Sequence, residues 1–158
     1  MTVNTNRKTF LHFCGAITGY SPLELEGTGL VDDYQELLEQ VIGQALVLEF
    51  YNLAAPIVAL EDPAARDERI RSAILPSSVF WPIVANLISL WYLGFWNTLP
   101  DSWYTLTGWP KPGPGEVGFG HVPSAKAYIE QLSYRTAGAH TPGAKPTGFG
   151  SWAIPPVF

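Results

Sequence analysis

Between Ser72 and Pro100 the chain carries no charged side chain, and a run of that length has two possible fates. About twenty apolar residues cross a bilayer as a helix, or a helix that is apolar all round lies at the centre of a fold with other elements packed on every side. The core of the run, LPSSVFWPIVANLISLWYLGFW at 75–96, holds Ser77, Ser78, Pro82, Asn86 and Ser89 and has no basic flank on its C-terminal side. It therefore reads as a central helix, roughly 77 to 96, of a soluble, mainly helical domain. A membrane anchor through 76–96 is the alternative.

The N-terminal NRKTFLHFCGAITGY opens with the basic pair Arg7–Lys8, like an export leader. His12 interrupts the apolar part, no small-x-small cleavage site follows, and the acidic SPLELEG comes next. Those flanks do not fit a leader. Phe10, Phe13, Cys14 and Ile17 fall at 3/4 spacing, so residues 5–18 are expected to form an amphipathic first helix.

Ser21-Pro22-x-Glu24 has the form of a capping box with proline in the first turn, and Gly27 and Gly29 should end that short helix. From Leu30 to about Leu60 the apolar positions Leu30, Val31, Tyr34, Leu37, Leu38, Val41, Ile42, Ala45 and Leu46 follow a helical stripe, with Asp32, Asp33, Glu36 and Glu39 opposite. Pro56 is expected to divide or kink it, since proline lacks the interior amide donor. Asp62-Pro63 should cap a third helix whose charges, Arg66 to Arg71, place it outside.

Composition shifts at Asn97. Residues 97–158 hold nine Pro and nine Gly, against five and six in the first 96, yet also nine of the chain's aromatics. Pro and Gly at that density suggest disorder, whereas aromatics are the residues whose burial outweighs their ordering cost. The expected organisation is a single domain. Residues 1–96 form a compact helical bundle of about four to five helices; 97–158 form a long, irregular, partner-wrapping Pro/Gly/aromatic-rich region with one short helix near 123–136.

Reaction centres are weakly signalled. The net charge of −5 and nine scattered Lys and Arg argue against a nucleic-acid partner. Cys14 is the sole cysteine, which excludes an intrachain disulfide and fits a small buried hydrophobe. His12, His121 and His140 share no ligand spacing. Gly113, Gly115 and Gly118 match G-x-G-x-x-G, but they stand among prolines, follow no strand and open no helix, so a turn-rich loop is expected. No catalytic, cofactor-binding or metal residues are assigned. The alternative of a small cofactor-independent enzyme would require His121 or His140 to meet Glu116 or Glu130.

FLHFCGAITGY at 10–20, LEGTGL at 25–30, LISLWYLGFW at 87–96, AYIEQLSY at 127–134 and GSWAIPP at 150–156 together resemble the small subunit of bacterial FAD-dependent sugar and polyol dehydrogenases, the sorbitol/fructose dehydrogenase small-subunit family. The resemblance runs in order over nearly the whole chain, and Trp91-Tyr92-x-Gly94 and Trp152-Ala153-x-Pro155-Pro156 are its most telling blocks. It implies a non-catalytic accessory subunit. In such complexes a flavoprotein catalytic subunit holds FAD and oxidises the sugar or alcohol, and a cytochrome c subunit, carrying haem c, or a similar carrier takes the electrons. The small subunit helps the flavoprotein fold and reach the periplasm, usually on a twin-arginine leader. None precedes the matching region here, so the leader is expected to have been removed or to belong to the partner. Membrane association would come only through partners.

The ending GFGSWAIPPVF carries no charge, and exposed apolar chain of this kind invites association. Trp103, Trp109, Phe119, Phe149, Trp152, Pro155, Pro156 and Phe158 are accordingly the expected partner interface, with the tryptophans as anchors. The stretch 98–123, longer and richer in Pro and Gly than the family's connection, reads as an added contact arm.

Overall fold

A computed structural model describes residues 3–139. The fold is mainly helical, and no strand occurs among these residues. Four helices are of eleven residues or more: α1 (Val3–Thr18), α3 (Val31–Val58), α4 (Pro63–Ala73) and α5 (Phe80–Leu93). Shorter ones join them: α2 (Pro22–Thr28), α6 (Asp101–Thr107), α7 (Ala125–Ile129) and α8 (Ser133–Thr136). These short segments take the number of helices beyond the four to five expected.

The capping signals set the helix ends. The Ser21 hydroxyl accepts from Glu24 N–H and the Glu24 carboxylate accepts from Ser21 N–H, closing the capping box, while Gly29 (φ 66°) stops α2 in the left-handed conformation. Asp62 accepts from the backbone N–H groups of Ala64 and Ala65, satisfying two of the orphan donors that begin α4. None of α4's residues is buried, as its charges imply.

The long stripe of α3 is broken, but not at Pro56. Gly43 sits at φ 77°, ψ 157°, a region essentially open to glycine alone, so α3 is two helices meeting at a corner. Pro56 is exposed two residues before the helix end, and the carbonyl it leaves unbonded, that of Asn52, belongs to an exposed residue that water can reach. Phe10, Phe13 and Cys14 of α1 pack with Tyr34, Leu38, Ile42 and Phe50 of α3 and Val84, Leu87 and Trp91 of α5 in one core. Edge-to-face ring pairs, Phe13–Phe50 at 5.1 Å and Tyr34–Trp91 at 4.8 Å, tie the three helices together, and the Tyr34 hydroxyl donates to Leu90 O at 2.9 Å.

The segment after residue 96 does more for this core than its composition suggests. Trp96, Leu99, Trp103, Tyr104, Ala127 and Leu132 are all buried. Trp96 and His121 exchange two backbone hydrogen bonds, of 3.0 and 2.9 Å, as an isolated antiparallel bridge. Leu132 N–H donates to Trp91 O, and Lys126 reaches Gly29 O. Several side chains of the region expected to wrap a partner thus lie in the chain's own core, while much of the stretch between them is exposed. Gly94 ends α5 at φ 63°, and a Cβ there would stand 2.5 Å from Ala127 O, so glycine lets α7 pack on the end of α5.

Candidate docking surface

The expected interface residues do not share one environment. Trp103 on α6 is 1% exposed and its indole N–H donates to Val79 O at 2.9 Å. It holds α6 on the start of α5 and has no face left for a partner, which corrects its placement as an interface anchor. Bulk Pro and Gly content hides α6, whose local signals are Pro100-Asp101 at the start and Gly108, left-handed at φ 69°, at the stop. Trp109 is half-buried against the corner at Gly43, and a Cβ on Gly43 would collide with its indole ring. Phe149, Trp152, Pro155, Pro156 and Phe158 lie outside the described residues.

The contact arm at 98–123 closes on the Trp96–His121 bridge. Within it the Glu116 carboxylate accepts from Gly113 N–H at 2.7 Å and Glu116 N–H donates to Gly113 O, and Gly115 and Gly118 adopt φ of 86° and 93°. The glycine pattern is thus a pair of tight turns, as expected. Gly118 lies against Val41 of α3. The arm thereby presents Val117 and Phe119, both exposed, from a base fixed at both ends, with Val122 exposed just past its neck.

Two depressions flank Trp81, which is 40% exposed on α5. One, of about 290 Å³, runs between α1, α4 and α5 and is floored by Ile17, Ile70, Leu75, Val84 and Ile88, with Asp67 and Arg71 at its rim. The other, of about 330 Å³, is lined by Pro82, Asn86, Asn97 and Thr98; Asn86 Oδ1 accepts from Asn97 N–H, and the Asn97 amide donates to Ser89. The sequence gives no sign that Trp81 faces outward, because α5 is apolar on every side and has no polar face to phase it.

The titratable groups are structural in their surroundings. Cys14 is fully buried, and burial pushes its thiol up to about 12, far from the thiolate that nucleophilic or metal chemistry requires. His121 Nδ1 is buried without a hydrogen-bond partner among the described residues, and burial lowers its pKa. Glu116, its proposed partner in an enzymatic reading, is engaged by the Gly113 turn instead. Among the described residues no three His, Cys, Asp or Glu side chains gather as metal ligands. Val31–Val58 is the one described helix long and apolar enough to cross a membrane, with 39% of its apolar window buried, and it is broken at Gly43. The 14 residues of α5 reach about 21 Å, short of the roughly 30 Å hydrocarbon layer.

Comparison with protein-family models, with curated proteins and with solved structures gave no match.

Proposed function

We propose that this chain is a non-catalytic accessory subunit of a FAD-dependent sugar or alcohol dehydrogenase complex in the periplasm. It stabilises the flavoprotein catalytic subunit and assists its maturation or export, with a cytochrome c subunit as a further partner. The ordered sequence blocks that resemble the small-subunit family motivate the reading. The observation that carries it is the contact arm: Val117 and Phe119 are held out to solvent on a loop braced by Trp109 on Gly43 and by the Trp96–His121 bridge, with Val122 exposed just past it. Apolar groups on a braced loop bind without the ordering cost that a mobile loop incurs. Trp109, Phe119, Phe149, Trp152, Pro155, Pro156 and Phe158 form the partner surface in this proposal.

Co-expression with a FAD-dependent sugar or alcohol dehydrogenase catalytic subunit from the same genome tests the reading. A stoichiometric complex with an FAD spectrum is expected, weakened by Phe119→Asp while the free chain keeps its helical content. A flavoprotein that is equally soluble, flavin-loaded and exported without this chain would refute it.

A further inference from the structure

We propose that the face of α5 bearing Trp81 is the contact surface of a homodimer, in which Trp81 of each copy enters the groove between α1, α4 and α5 of the other. The dimer forms from the chain alone and uses none of the contact arm, so it stands or falls independently of the accessory-subunit reading.

The face alternates in relief. Trp81 stands out from α5 at 40% exposure, and at about 3.6 residues per turn Val84 and Ile88 fall to one side of it and Pro82 and Ala85 to the other. The first side is the groove of about 290 Å³, with the rim of α4 beyond it; the second is the depression of about 330 Å³. Across the face the order is therefore raised α4, hollow, raised Trp81, hollow. A two-fold axis between the groove and Trp81 turns that order end for end and sets each rise against a hollow, the condition for an isologous contact.

Chemistry pairs the same way. The indole meets the apolar floor of Ile17, Ile70, Val84 and Ile88, and a buried tryptophan is among the strongest anchors an interface can have. Its N–H, which loses water on entry, is met by the Asp67 carboxylate at the rim. Arg71, one turn further along α4, comes over the second depression of the other copy, where Asn97 keeps its amide oxygen open because its amide N–H is given to Ser89. Among the described residues neither Asp67 nor Arg71 is held in an ion pair. They are also the only charged side chains lining the groove, and they cancel. Two copies can therefore approach here without the repulsion that a net charge of −5 on each creates elsewhere.

Sedimentation velocity of the full chain over a concentration series provides the test. A monomer–dimer equilibrium is expected. Its dissociation constant should rise roughly tenfold or more with Trp81→Ala, and likewise with Leu75→Glu at the edge of the groove, and stay unchanged with Leu106→Glu, an exposed position beside a different depression. Circular dichroism of the variants should match the parent. A benzophenone amino acid at Leu75, in a mixture with isotope-labelled chain, should cross-link at dimer mass into the segment of α5 around Trp81 of the other copy. A chain that is monomeric at every concentration, a dimer that both groove substitutions leave intact, or cross-links confined to monomer mass would each overturn the inference.

Discussion

The indole of Trp109 occupies the space where a side chain at position 43 would begin. Gly43 makes the corner of α3 through φ 77°, ψ 157°, and the corner leaves a bare backbone surface that the ring covers. Two things thus demand glycine here, the backbone conformation and the contact. Gly43→Ala should cost roughly 3 kcal/mol, from backbone strain together with displacement of the ring. Urea midpoints for Gly43→Ala, Trp109→Ala and the double variant check this: the double should be less destabilised than the sum, because removing the indole relieves the clash.

Trp103 separates a core role from a docking role. Trp103→Ala should lower the stability of the isolated chain by roughly 3–5 kcal/mol. Trp103→Phe, which keeps the ring but strands Val79 O, should lower it by roughly 1–3 kcal/mol. Phe119→Asp, at an exposed position, should stay within about 0.5 kcal/mol of the parent. Thermal and urea unfolding of the three without any partner make the comparison.

Arg7 bridges α1 to α2 and α3 through Glu26 and Asp32. Hydrogen bonds from its guanidinium hold both carboxyls below the usual carboxylate range. A depressed folded-state pKa gives stability that is present above the unfolded-state value, about 4, and lost as pH falls through the folded-state values. All three groups are solvent-exposed, so the effect is small and screened by salt. Arg7→Gln should be less stable than the parent at pH 7 in low salt. The two unfolding curves should converge as the solution is acidified below the carboxylate range or as salt is raised; a gap that persists under both conditions would mean a packing role instead.

Cys14 should be inert in the native state. With its thiol pushed up to about 12 and its side chain fully buried, alkylation at neutral pH should proceed no faster than global unfolding and be complete in denaturant. Mass spectrometry of iodoacetamide-treated chain across a urea series measures this. Rapid native labelling would place the residue on the surface of α1.

Local signals were legible where one residue type decides the outcome. Ser21 with Glu24, Pro22, Asp62-Pro63 and the 3/4 spacing from Phe10 to Cys14 each specify a cap or a face, and the structure uses them so. The break in α3 falls at Gly43 and not at the expected Pro56, because proline's rule is chemical and visible, whereas the Gly43 corner is matched to a tertiary partner, Trp109, 66 positions away. The part that Trp103 plays is hidden for another reason: bulk Pro and Gly content says nothing about a seven-residue helix whose N-terminal boundary is Pro100 and whose stop is Gly108, or about a carbonyl 24 positions back that receives its indole N–H. Trp81 could not be phased because a helix without a polar face has no outward side until its neighbours are placed.

The Trp96–His121 pair shuts the arm at its neck, while Trp109 and Gly118 pin its two limbs to α3. Pro114 and Gly115 at the exposed tip are thereby insulated from the helices. Extra residues spliced there are felt only as closure entropy, about 0.6 kcal/mol for each doubling of the loop. The tip is a natural graft point for an epitope or a reporter peptide, one that leaves the protein's folding intact.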